Sequence, residues 1–126
     1  MKILLTGCCG FIGFNFVNSL VKTNKKIKIV GIDNLNNYYS VKLKKARLKI
    51  LLKSKNFTFQ KMDLENLKLL NNLFKKNKFD CIFHFAAQAG VRYSIKNPKK
   101  YIDSNIVGFF NIIELARKTN IKKIFY

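Results

Sequence analysis

The sequence predicts an α/β fold in which helices cover both faces of a parallel sheet, giving a three-layer αβα domain. Three observations carry this expectation. Short apolar runs alternate with segments of helical period along the whole chain, the pattern of consecutive βαβ units. The first apolar run ends in a glycine triplet, Gly7, Gly10 and Gly13, directly before a helical segment. A second, β-branched run follows on schedule and stops at an acidic residue, Asp33.

Taken in order, Lys2–Thr6 is a short apolar strand. Phe11–Lys22 has helical spacing, with Phe11, Phe14, Val17, Leu20 and Val21 on one face. Ile27–Ile32 reads as a buried second strand, and Asn34–Tyr39 as a polar turn. Ser40 is suited to cap a helix reaching about Lys53, with Leu43, Ala46, Ile50 and Leu51 inward. Asn56–Lys61 alternates apolar and polar residues, as a third strand should. Leu64–Lys76 predicts a helix that buries Leu67, Leu70, Leu73 and Phe74. Cys81–Phe85 is a fourth strand, leading into Ala86-Ala87-Gln88-Ala89-Gly90, small residues that permit close backbone approach. Pro98 is placed to begin a long helix running to about Thr119. Ile121–Tyr126 opens a fifth strand, inside which the chain stops. The implied architecture is a Rossmann-type, doubly wound parallel sheet of order 3-2-1-4-5, truncated at the fifth strand.

With 126 residues and 48% hydrophobic content, the chain suffices for one domain with a real core. It is too short for a cofactor domain and a separate substrate domain. The apolar start, Met1-Lys2-Ile3-Leu4-Leu5, meets glycine too soon for a signal peptide. No apolar run approaches a membrane span of about 20 residues. Cys8, Cys9 and Cys81 form a poor disulfide framework, so reduced thiols in a cytoplasmic protein are expected. The net charge of +19 is spread along the chain rather than gathered in a groove, and only three residues are arginine. This favours a solvated basic surface over nucleic-acid binding, and such a surface attracts anionic substrates.

The turn Thr6-Gly7-Cys8-Cys9-Gly10-Phe11-Ile12-Gly13 fits a pyrophosphate. Gly7 makes the tight turn, Gly10 lets backbone approach the phosphates, and Gly13 lets the helix lie close to the strand. The N–H groups and positive end of the helix then face the anion. Asp33, about 20 residues beyond Gly13, places a carboxylate where it accepts bonds from ribose hydroxyls and repels a 2′-phosphate. NAD is therefore the expected cofactor, although Lys42, Lys44 and Lys45 leave NADP open.

The GxxGxxG spacing of Gly7–Gly13 resembles the short-chain dehydrogenase/reductase superfamily. Thr6–Gly13 is similar to its extended branch, the sugar-nucleotide epimerases and dehydratases. Gly31–Tyr39, Ala86–Ser94 and Tyr101–Gly108 sharpen this toward the UDP-glucuronate 4-epimerase group. The resemblance covers essentially the whole chain, as the front portion of a longer enzyme.

It implies that Phe11 and Ile12 present backbone N–H groups to the pyrophosphate. Asp33, Asn34 and Asn36 surround the adenosine ribose, and Asp63 and Leu64 reach the adenine. Phe85, Ala86, Ala87 and Gln88 pass beneath the nicotinamide side, with Asn105 near the catalytic centre. Arg92 faces the sugar nucleotide. Each has a plainer reading: Asp63 as a helix cap, Asn105 as a polar helix residue, Arg92 as a surface charge. His84, the only histidine, reads as a packed core residue.

In the resembled family, a Ser/Thr and a Tyr-x-x-x-Lys pair beyond the fifth strand act through a 4-keto sugar. No such pair lies in the corresponding place here, so no catalytic residue is assigned, and no metal site either. The implied function is the NAD-binding portion of an epimerase interconverting UDP-glucuronate and UDP-galacturonate, inactive as this segment alone. The full protein is implied to be a homodimer. The alternatives are another nucleotide-sugar dehydratase or decarboxylase of the branch, and a catalytically inactive NAD-binding module.

Overall fold

The computed structural model describes residues Met1–Tyr126. Its centre is β1 (Lys2–Thr6), whose Ile3, Leu4 and Leu5 are fully buried. β2 (Lys28–Asp33) and β3 (Phe57–Lys61) extend the sheet on one side; β4 (Cys81–His84) and β5 (Ile124–Phe125) extend it on the other. All pairings are parallel, as the alternating pattern predicts, and the order is β3-β2-β1-β4-β5, the one expected of a Rossmann-type sheet. β1 is flanked on both edges, so it reads as continuous apolar sequence rather than as an alternation.

Side chains leave a strand on alternate faces, and this splits the core in two. Ile3 and Leu5 join Val17, Ile29, Leu51 and Phe57 on the face covered by α1 (Phe11–Thr23) and α2 (Val41–Leu51). Leu4, Val30, Ile32 and Ile82 pack on the other face with α3 (Leu67–Lys76) and α6 (Phe109–Lys118). A short α4 (Val91–Lys96), unmarked by any period in the sequence, follows β4. The long helix expected from Pro98 is present but not uniform. It runs as α5 (Pro98–Tyr101), then a π-helical segment (Ile102–Gly108), then α6. No helix is long and apolar enough to cross a membrane.

Three expectations on helix faces need correction. In α2, Leu43 and Ile50 are 44% and 47% exposed and Ala46 is also exposed, while Lys44 is buried with Leu51. The face is chosen by polar partners: Lys44 Nζ donates to the Asn36 backbone carbonyl and to Asn36 Oδ1, and sits 4.5 Å from the Tyr39 ring centre. In α3, Asn66 caps the helix by accepting the Leu69 N–H, so Leu64 lies before it as a buried plug and Leu67 is exposed. In α1, Phe11 points to solvent rather than into the core, because it stands at the open turn.

The candidate nucleotide groove

The site forms where β1, β2 and β4 end, the crevice in which sheets of this topology bind ligands. Gly7 has φ +71, and a Cβ there would meet the Ala86 and Phe85 backbone at 2.7–2.8 Å. The Gly7 N–H donates to the Ile32 carbonyl at 2.8 Å, which ties the turn to the end of β2. A Cβ on Gly13 would overlap the Gly7 carbonyl oxygen, so α1 lies against the turn only because Gly13 has none. Gly10 differs: a Cβ would touch only the Gly7 oxygen, at 3.2 Å, and otherwise meets open space. Gly10 also caps α1 without a side-chain bond. The first N–H groups of the helix thus have no capping acceptor, and they suit an anion at this end.

Asp33, 8% exposed, closes β2. Its Oδ2 accepts the Cys9 N–H at 3.0 Å and its Oδ1 accepts the Leu35 N–H at 2.8 Å. Each oxygen keeps a further lone pair, enough for a vicinal diol. The following loop is held from outside. Asn34 Nδ2 donates to Asp63 Oδ1 at 2.8 Å, the Asn36 N–H to Asn34 Oδ1 at 3.0 Å, and Lys44 anchors Asn36. Burial lowers the Lys44 pKa, with Asp33 acting in the opposite sense. Arg47 donates to the Cys9 carbonyl and to the Tyr39 hydroxyl, joining α2 to the glycine turn. Burial raises the Tyr39 pKa.

Across the groove, the irregular segment after β4 is fixed by Asn105. Its Oδ1 accepts the Gln88 N–H at 2.7 Å and its Nδ2 donates to the Gln88 carbonyl at 2.9 Å. Beneath it, the Ala86 N–H donates to Thr6 Oγ1 at 3.1 Å, and the same oxygen shares a hydrogen bond with His84 Nδ1 at 2.9 Å. Burial depresses the His84 pKa to about 4, so it stands neutral in the core.

One cavity gathers Gly7, Gly10, Asp33, Asn34, Asn36, Leu64, Phe85, Ala86, Ala87 and Gln88 of the residues picked from sequence. Phe11 and Ile12, at the start of α1, do not line this cavity and are 72% and 64% exposed. Gly13 and Asn105 stand behind the wall as supports. Asp63 is not a helix cap; it borders an adjoining hollow with Asn34 and Gln88. Arg92 lies apart from the groove, exposed on α4 beside Tyr38, Tyr93 and Lys96. Sequence reasoning missed Tyr38, Tyr39, Met62, Glu65 and Ser104, which also line the cavity, as does Lys44, one of the lysines that left NADP open. A faint signal existed for the tyrosine pair, which interrupts an otherwise Asn-rich loop. The chain was assigned no metal site, yet the fold brings ligand atoms of Cys8, Cys9 and Asp33 within 4.8 Å of one another.

The groove therefore offers anion-binding N–H groups at α1, a diol acceptor at Asp33, and an apolar wall of Ile32, Met62 and Leu64 for a flat ring. The GDP-mannose 4,6 dehydratase family model matches residues 4–126. The chain is 50% identical over 126 residues to Protein CapI of Staphylococcus aureus, covering 100% of this chain and 37% of that protein. It is 43% identical over 121 residues to UDP-glucuronate 4-epimerase of Thermodesulfobacterium geofontis, covering 96% and 37%. Among solved structures, UDP-glucuronic acid 4-epimerase from Bacillus cereus, in complex with UDP-glucuronic acid and NAD, is similar. It has a TM-score of 0.82 at 33% identity, covering 98% of this chain and 38% of that one. The chain thus spans about 37% of the length of these curated relatives.

Proposed function

The chain belongs to the GDP-mannose 4,6 dehydratase family, and on that premise we propose that it is the NAD-binding portion of a nucleotide-sugar 4-epimerase. One observation carries the cofactor assignment: the cleared backbone at Gly10 and the Asp33 carboxylate open onto the same cavity. The residues fit the group. A pyrophosphate seats on the N–H groups of Phe11 and Ile12, and Asp33 takes the adenosine ribose hydroxyls. Met62 and Leu64 flank the adenine, while Phe85–Gln88 underlie the nicotinamide side. The carboxylate at Asp33 favours NAD over NADP. NAD supplies a reversible hydride acceptor. The chain's own residues bind and orient it; none here moves the substrate proton.

The sugar nucleotide assigned is UDP-glucuronate, converted to UDP-galacturonate by the full-length protein. Support comes from the relatives of that activity and from the Ala86–Ser94 segment. The three unpaired cysteines fit a reducing, cytoplasmic setting. Exposed Ile102, Ile106, Phe110 and Ile113 along the π segment and α6 fit a homodimer contact. Two measurements test the reading. Calorimetric titration of this chain should show NAD binding more tightly than NADP; no NAD binding overturns the cofactor assignment. Incubating the full-length protein with UDP-glucuronate should yield UDP-galacturonate. Carbon dioxide with a 4-keto pentose product would instead identify a decarboxylase of the same branch. No turnover of UDP-glucuronate but a 4-keto-6-deoxy product from a neutral nucleotide hexose would identify a dehydratase.

A further inference from the structure

Two adjacent thiols and a carboxylate converge at the heart of the glycine turn. Cys8 and Cys9 fill the positions between Gly7 and Gly10, and both are fully buried. Their Sγ atoms lie 3.8 Å apart. That is far beyond a disulfide bond of about 2.05 Å. It equals the edge of a tetrahedron whose metal–sulfur arms are about 2.3 Å, which is about 3.8 Å. An oxygen of Asp33 completes a set whose members all lie within 4.8 Å of one another. The carboxylate is oriented by the ligand pair's own backbone, since the Cys9 N–H donates to Asp33 Oδ2 at 3.0 Å. Asp33 borders the open cavity, while Cys8 and Cys9 lie buried behind it.

We propose that Cys8, Cys9 and Asp33 form a binding site for a soft, filled-shell divalent cation of the zinc group. Two thiolates and one carboxylate are the donors such an ion selects, and three protein ligands leave its fourth position for solvent. Binding is a proton exchange without electron transfer. Each thiol loses its proton to solvent, two metal–sulfur bonds form, and the carboxylate joins as it stands. The cation would engage an Asp33 oxygen that the adenosine ribose also needs, so metal and dinucleotide compete. This second part rests on the NAD reading; the metal site does not.

The test titrates the purified, cofactor-free chain with Cd2+, following the ultraviolet thiolate-to-cadmium charge-transfer band and the protons released. One Cd2+ per chain and about two protons are expected. The band should vanish in Cys8→Ser and in Cys9→Ser, persist in Cys81→Ser, and need roughly tenfold more Cd2+ in Asp33→Asn. Circular dichroism verifies that each variant is folded. X-ray absorption of the cadmium-loaded unaltered chain, which should report two sulfur neighbours, decides the matter if a variant is not. No band, a band indifferent to either thiol, or fewer than two sulfur neighbours overturns the site. Saturating Cd2+ should weaken NAD binding about tenfold or more; unchanged NAD affinity overturns the competition. Absence of NAD binding in metal-free protein would instead overturn the cofactor reading and leave the cadmium result standing.

Discussion

Asn105 and Gln88 exchange two hydrogen bonds across 17 positions of sequence, one to each backbone group of Gln88. Beyond Phe85, whose N–H still reaches the Thr6 carbonyl of β1, the backbone groups need acceptors and donors from elsewhere. A single carboxamide on the π-helical segment does for Gln88 what a neighbouring strand would do. Asn105→Ala should therefore lower unfolding free energy by about 1–3 kcal/mol, read from urea denaturation. It should also weaken NAD binding, because the wall of the groove is released. An unchanged midpoint would mean that the segment is held by its other contacts.

The glycines of the turn separate into two kinds. Gly13 faces backbone that cannot yield, so Gly13→Ala should destabilise the fold on the order of 3 kcal/mol. Gly10 faces open cavity and has φ −68, a conformation any residue adopts. Gly10→Val should keep the melting temperature close to the parent's yet abolish NAD binding in a titration. Retained affinity would show that the phosphates lie elsewhere.

Cofactor choice rests on Asp33 standing among cations. Lys44 and Arg47 lie on the same flank, both engaged with the loop and turn that carry Asp33. Asp33→Ser removes the negative charge and leaves those positive charges in place. The NAD-to-NADP ratio of dissociation constants should move toward NADP by about tenfold, equal to about 1.4 kcal/mol. Parallel titrations with both dinucleotides decide it, and an unmoved ratio would rule Lys44 and Arg47 out as 2′-phosphate partners.

His84 gives stability a pH dependence with a definite sign. Its pKa falls from 6.5 to about 4 on burial, so the unfolded chain takes up a proton before the folded one does. In the core its Nδ1 shares a hydrogen bond with the Thr6 hydroxyl. This contribution is fully present above about pH 6.5 and is lost as pH falls toward about 4, on the order of 3 kcal/mol in all. Thermal melts across that window should show the loss, and His84→Leu should flatten it. Equal slopes in both proteins would assign the acid sensitivity to other groups.

The parts of the groove legible in sequence are those whose requirement is local. A turn without Cβ atoms between a strand and a helix can be read from Gly7, Gly10 and Gly13 alone. An acid at the end of the next strand can be read from Asp33. The parallel pairing follows from the alternation, because parallel strands must be joined by crossovers, and the order is what the Rossmann-type reading of the glycine turn implies. The burial of Lys44 is illegible in sequence: a lysine belongs inside only when acceptors await it, and Asn36 and Tyr39 arrive there through the β2–α2 loop. Leu43 and Ile50 looked inward by hydrophobicity and point outward for the same reason.

Sequence by itself determined the parallel sheet and the turn, since these follow from residue period and from the volume of a missing side chain; the strand order came with the Rossmann-type reading of that turn. Only tertiary structure decided that Asn105 supports Gln88 and that Arg92 stands outside the groove. The same holds for the meeting of Cys8, Cys9 and Asp33. Those relations join positions far apart in the chain, and hydrogen-bond and ligand geometry exist only once the strands between them have aligned.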